Sequence, residues 1–165
     1  MCKDCQLYTN LAGPSFISNG YGRLKGYRDA LEKFHLPYNK DYVIEGGLDA
    51  EMGGKAMERF LDKGLEFDAV FGFTETATLG AKTVLQKLHY RIPEDVALCC
   101  ISGTTLCTLV HPTVTAVEQP IRQMAEEATR LLVRQIENPQ APTEHIVLRG
   151  EIIMRESTSV SSSEG

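Results

Sequence analysis

No apolar run in this sequence approaches the length of roughly 20 residues that a membrane-spanning helix needs. The opening stretch, MCKDCQLYTN, has neither the basic segment nor the apolar segment of a secretory signal. A cytoplasmic location is the expectation. Clusters of basic residues are missing as well. The 17 Lys and Arg are scattered among 22 Asp and Glu, giving a formal net charge of −5. Phosphate neutralisation supplies most of the affinity of nucleic-acid binders, so this chain by itself is not expected to bind DNA.

Catalytic signatures are absent too. No G-x-S-x-G, P-loop, G-x-G-x-x-G or H-E-x-x-H pattern occurs. Of the four histidines, His35, His89, His111 and His145, only His111 comes near a strand-end loop, at its far edge. A nucleophile with a base beside it is not in view, so no enzyme activity is expected. The five cysteines include one C-x-x-C, Cys2 and Cys5. A structural zinc site needs two further ligands. Cys99 and Cys100 sit in an apolar strand pattern that points them to opposite faces. The pair at Cys2 also precedes a strand, whereas a redox pair sits at a helix N-terminus. Neither metal nor cofactor is expected.

What is present is an ordinary globular composition, 42% hydrophobic over 165 residues, enough for one domain with its own core. Strand and helix patterns alternate along it. Residues 6–12 read as a strand ending at Gly13-Pro14, followed by a helix from about Asn19 to Phe34 with Leu24, Tyr27, Leu31 and Phe34 in helical spacing. Pro37 stops it. A strand at 41–46, a helix from Glu51 to Lys63, a strand at 67–73 and a helix from Glu75 to Leu88 come next. Strands at 96–102 and 113–119 lead to Pro120, which opens a long helix to about Glu137. Short strands at 145–148 and 151–154 close the pattern, and the Ser-rich end is expected to be loose. The succession predicts an α/β fold, a mostly parallel sheet with helices on both faces.

In such sheets ligands bind beyond the carboxyl ends of the strands. That rule selects the loops at 13–18, 46–50, 74–76 and 102–108. They offer Arg23 just inside a helix, then Thr74, Glu75 and Thr76, then Ser102, Gly103, Thr104 and Thr105. A set of hydrogen-bonding groups with one cation suits a small polar molecule. Gly47 with Gly53-Gly54 hints at a phosphate cradle, but the spacing fits no such motif, and Asp49 and Glu51 would repel an anion. Blander roles compete at each position. Arg23 could join a surface ion pair, Thr74 and Ser102 could cap elements, Glu75 could be a first-turn helix acid, and Gln119 could cap the helix at Pro120.

Several segments resemble the C-terminal half of the lactose-repressor family of bacterial transcription regulators. They are LAGPSFISNGYGRLKGYRDAL, FDAVFGFTETATLGAKTVLQKL, RIPEDVALCCIS, HPTVTAVEQPIRQMAEEATRLLVRQI and IVLRGEIIMRESTS, which lie in the family's order across residues 6–158. The resemblance implies one lobe of a two-lobed, periplasmic-binding-protein-like effector domain, with the helix-turn-helix and most of the first lobe outside this chain. On that division 6–119 is the second lobe and 120–138 a helix packing on the first lobe. Residues 143–156 are then closing strands and 157–165 a loose tail.

The resemblance further implies a small polar effector of sugar or nucleobase type, allosteric control of operator DNA through the other domain, and a homodimer. Arg23 matches the family's ligand-binding arginine, and Gln119 a hydrogen-bonding glutamine. Leu48 stands where an aromatic is common, Thr74 where Asn is common, Glu75 at an adjacent acidic position and Ser102 where Asp is common. Leu79, Leu109 and Val110 fall where family members dimerise. A solute-binding protein of the same fold is the alternative, and a flavodoxin-like enzyme a weaker one.

Overall fold

A computed structural model describes residues 7–159. Its elements run β1 (Tyr8–Ala12), α1 (Ser18–Lys33), β2 (Val43–Glu45), α2 (Ala50–Leu61), β3 (Ala69–Gly72), α3 (Glu75–Lys87), β4 (Ala97–Ile101), α4 (Leu106–Leu109), β5 (Thr115–Glu118), α5 (Ile121–Glu137) and β6 (Glu151–Ile153). They form a six-stranded sheet in the order β2-β1-β3-β4-β5-β6. β1 to β5 are parallel, and β6 is antiparallel to β5. The α/β class expected from the alternating pattern is the class observed. The Cys2–Cys5 pair lies outside the described residues.

Helix starts follow local chemistry. Asp49 caps α2 by accepting from Met52 N at 2.8 Å, and Thr74 caps α3 by accepting from Ala77 N at 3.2 Å. Helix ends use an unexpected residue. α1 and α3 each close on a histidine in the left-handed region, His35 at φ 56° and His89 at φ 64°. The amides of the next residues, Leu36 and Tyr90, return to Leu31 O and Leu85 O, as in a Schellman turn. The first helix therefore ends through its own backbone bonds before Pro37 is reached.

One face of the sheet carries the main core. Leu11, Val70, Leu98, Cys100 and Ala116 pack there with Ala56, Met57 and Phe60 of α2 and Ala81, Val84 and Leu85 of α3. α1 contacts β1, with Tyr27 and Leu31 buried and Tyr27 Oη donating to Tyr8 O at 2.7 Å. The two helices of the main core meet on a seam of small residues. A Cβ on Gly53 would stand 2.0 Å from Ala77 O, and one on Gly80 would stand 1.9 Å from Ala50 O. These glycines let two backbones touch. That explains Gly53 without any phosphate.

Two sequence expectations need correction. Residues 145–148 form no strand, because no neighbouring strand offers them a ladder; Val147 is exposed and the segment runs beside α5 instead. The tail is not loose from residue 157. Ser157 is fully buried, its Oγ donating to Leu98 O and accepting from Thr115 N at 2.9 Å. Glu156 accepts from Thr113 N at 2.7 Å, and Thr158 Oγ1 meets Thr115 Oγ1 at 2.6 Å. Arg155 donates to Val114 O and pairs with Glu118. The Arg-Glu-Ser-Thr segment is thus a staple across the start of β5 and the neighbouring β4.

α5 leaves its apolar stripe uncovered within the described chain. In the chain Ile121, Met124, Ala128, Leu132 and Ile136 are exposed. The helix leaves β5 through Pro120 and leans outward, so a cavity rather than contact separates it from Ile101 and Val117.

Substituting Gly53→Ala tests the seam. The added methyl would meet the backbone of Ala77, which cannot swing away like a side chain. A loss of about 1–3 kcal/mol in unfolding free energy is expected from such overpacking. Urea denaturation followed by circular dichroism measures it, and an unchanged midpoint would show that the helices can separate freely.

Candidate functional site

The strand order reverses between β1 and β3, so the loops that follow these two strands diverge and leave a crevice at their carboxyl ends. Arg23 enters this crevice from α1, whose first turn follows the β1 loop. Its Nη1 donates to Phe73 O, the carbonyl just past β3, and its guanidinium carbon stands 4.4 Å from the centre of the Phe73 ring. Its Nη2 donates to Ser102 Oγ, just past β4, at 3.0 Å. Ser102 in turn donates to Gln119 Oε1, just past β5, at 2.9 Å. One chain of hydrogen bonds thus crosses the ends of three adjacent strands. The direction of each bond is forced, because arginine only donates and a hydroxyl has a single hydrogen to give.

Ser102 reaches this position through strain. Its φ of 63° is left-handed, a region costly for a residue with a side chain and one found at functional sites. The conformation is held by backbone bonds from Ser102 N and Gly103 N to Val117 O, at 3.0 and 3.2 Å. Burial lowers the pKa of Arg23 from its ordinary value. An arginine still keeps its proton, so a partly desolvated cation remains in the crevice.

An open cavity of about 720 Å³ lies beside this chain of bonds. Arg23 and Gln119 form part of its wall, with Ser18 and Asn19 from the start of α1. Met124, Ala128 and Leu131 of α5 and Ile146 and Val147 supply an apolar side. Of the six residues expected at an effector site, Arg23, Ser102 and Gln119 are brought together.

The other three are placed elsewhere. Thr74 spends its hydroxyl on capping α3 and meets Thr76 Oγ1 at 3.2 Å. Leu48 is exposed on the far side of that loop, where its carbonyl accepts from Thr76 Oγ1 at 2.7 Å. Glu75 is buried and turned to the next loop, where it accepts from Thr104 N at 2.7 Å and Thr104 Oγ1 at 2.6 Å. None of these three lines the cavity. Their capping and latching roles follow from their place at the first turn of α3.

Phe73 is the residue that sequence reasoning missed. Its place as the last residue of an apolar strand was visible, but its role as platform and acceptor for Arg23 depends on a contact 50 positions away. Below the Ser102 loop, Cys100 and Cys107 stand with sulfurs 3.8 Å apart, and Cys107 Sγ is 3.5 Å from Glu75 Oε2. The hydrogen bond to Cys107, and then burial, push the Cys100 thiol far above its usual pKa. Among the described residues there is no cluster of metal-binding side chains. No helix of the described chain is long and apolar enough to cross a membrane.

The residues expected at a dimer contact divide. Leu79 and Val110 are partly buried and pack against the core of the chain, while Leu109 is exposed. Nearby, Lys82 is buried with no carboxylate partner among the described residues. It donates to His111 O at 2.7 Å and Gln86 Oε1 at 3.1 Å, and burial lowers its pKa.

The sequence profile of the periplasmic binding protein-like domain matches residues 10–158. The transcriptional regulator CelR of Thermobifida fusca is 35% identical over 147 residues, covering 89% of this chain and 43% of that protein. The repressor CytR of Escherichia coli K12 is 28% identical, covering 90% of this chain and 43% of that protein. The structure of a CelR–cellobiose complex superposes with a TM-score of 0.89 at 33% identity, over 93% of this chain and 47% of that one. The regulator CcpA of Lactococcus lactis superposes with a TM-score of 0.86 at 24% identity, over 94% of this chain and 57% of that one, a likeness of fold. The chain therefore spans under half the length of CelR and CytR. These likenesses bear out the resemblance read from the sequence: the chain belongs to the periplasmic binding protein-like domain family, in the form found in LacI-family transcription regulators.

Proposed function

We propose that this chain is the second lobe of the small-molecule effector-binding and dimerisation domain of a bacterial LacI-type regulator. The observation that carries this reading is the meeting of Arg23 from α1 with Ser102 after β4 and Gln119 after β5, with Arg23 and Gln119 on the wall of one cavity. The relatives are regulators rather than enzymes. A ligand gripped by Arg23 and Gln119 would draw on the carboxyl ends of β3, β4 and β5 together. Its binding energy could then be felt throughout the lobe, which is the physical requirement for allosteric control.

The exposed stripe of α5 supports the rest of the proposal. Ile121, Met124, Leu132 and Ile136 together would bury several kcal/mol of apolar surface, at about 1.5–3 kcal/mol each. A first lobe across the cavity would cover this stripe and close the effector site. Operator DNA would be bound through a helix-turn-helix domain, in the cytoplasm.

The test is a thermal-shift screen of sugars, sugar phosphates and nucleobases on the natural polypeptide that carries this chain. One chemical class is expected to raise the melting temperature by several degrees, as ligand binding to the native state must, with the rise lost in Arg23→Leu. A screen in which no class stabilises the protein, or in which Arg23→Leu responds as before, contradicts the reading.

Self-association is proposed through α3 and the segment from Leu106 to Pro112, with exposed Leu109 as the apolar contact. Sedimentation at tens of micromolar should show a dimer that Leu109→Asp converts to monomer; a wild-type protein that sediments only as monomer contradicts it.

A further inference from the structure

The charge balance of the cavity points to the class of effector, an inference that rests on the effector-site reading above. Arg23 makes no ion pair among the described residues. Its partners are a carbonyl, a hydroxyl and an aromatic face, all neutral. Two carboxylates line the same cavity, Glu127 and Glu144. Both are already paired with arginines of α5: Glu127 with Arg130 at 2.8 Å, and Glu144 with Arg130 at 3.5 Å and with Arg134. Arg23 is therefore the cation of the cavity wall without a counter-charge. A partly desolvated charge left in that state is costly, and the cost is relieved when an opposite charge arrives.

The hydrogen-bond polarity points the same way. Of the five N–H donors of a guanidinium, one goes to Phe73 O and one to Ser102 Oγ, and the others meet no acceptor among the described residues. Ser102 donates to Gln119 Oε1, which leaves that carbonyl one lone pair and both amide hydrogens of Gln119 to offer. Arg23 and Gln119 together thus present more donors than acceptors, a balance that suits an anion better than a neutral polyol. The planar fork of arginine matches two oxygens of a carboxylate or a phosphate.

We infer that the effector is a polyhydroxylated molecule bearing a carboxylate or phosphate, whose oxyanion seats on Arg23 beside the amide of Gln119. The apolar side of the cavity, from Met124, Leu131, Ile146 and Val147, would take the carbon face of the same molecule.

NMR titration of the natural polypeptide that carries this chain tests this at constant ionic strength with three six-carbon probes, D-gluconate, D-glucose 6-phosphate and D-glucose, and with inorganic phosphate. Shifts of the Ser102, Gly103 and Gln119 amides report the site. At least one of the two anionic sugars is expected to bind on the order of tenfold or more tightly than glucose, as a charge-assisted pair implies. Whether gluconate or glucose 6-phosphate leads decides between carboxylate and phosphate. Inorganic phosphate should bind more weakly than the leading sugar.

Arg23→Gln should erase the anion preference. Ser102→Asp supplies the missing counter-charge in a backbone conformation that aspartate tolerates. It should reverse the order, so that glucose binds more tightly than either anion. Glucose equal to or tighter than both anions in the wild-type protein, with shifts at Ser102 and Gln119, overturns the anion inference and leaves the effector-site reading standing. Amides at Ser102 and Gln119 that respond to no probe in the tens of millimolar overturn both.

Discussion

The arrangement rests on one partly buried guanidinium. Arg23 must find acceptors where it enters the crevice, and the only places to find them are the ends of the strands. Its bonds to Phe73 O and Ser102 Oγ, continued by Ser102 to Gln119, bind the ends of β3, β4 and β5 to α1. Two features of the crevice meet that demand. Ser102, held in a left-handed conformation by the backbone bonds to Val117 O, places its hydroxyl between Arg23 and Gln119. Phe73 turns its ring toward Arg23, because an aromatic face attracts a cation that water no longer fully solvates.

The rest of the molecule keeps those strand ends in place. On one face of the sheet, the glycine seam brings α2 and α3 into backbone contact, so the α3 N-terminus and its cap at Thr74 are set immediately after Phe73. From that first turn Glu75 reaches across to Thr104 and pins the loop that carries Ser102. At the opposite ends of β4 and β5 the buried Ser157 ties Leu98 to Thr115, fixing the register of the two strands that deliver Ser102 and Gln119. Packing, capping and polar latches thus converge on one rim. The other wall of the cavity, α5, has no such fastening.

Much of this was legible in the sequence, for physical reasons that differ by element. The strands and helices were visible because burial imposes a period on apolar residues, as in Leu11, Val70 and Leu98 or in Ala77, Ala81 and Leu85. Arg23 and Ser102 could be named because the rule of strand ends applies to any open parallel sheet, and Gln119 because the family resemblance pointed to it. Their hydrogen bonds could not, since the partners lie 79 and 17 positions apart. Thr74 and Glu75 carried two readings from the start; in the structure Thr74 caps α3, while Glu75 reaches a loop 29 positions away, which no local pattern shows. The strand expected at 145–148 looked right in composition, but a strand exists only where a neighbour completes its ladder. Ser157 was hidden in a Ser-rich end whose composition resembles that of a loose tail.

The most direct measurement of this account is the nitrogen-15 spectrum of the arginine side chains. If Arg23 is clamped by Phe73 and Ser102, its Nη hydrogens should give separate, slowly exchanging signals, shifted by the Phe73 ring and collapsing in Ser102→Ala. Arg122, whose side chain is almost wholly exposed, supplies the reference in the same spectrum. Arg23 signals as averaged and as quickly exchanging as those of Arg122 would show that the guanidinium is free in water, and would contradict the account at its centre.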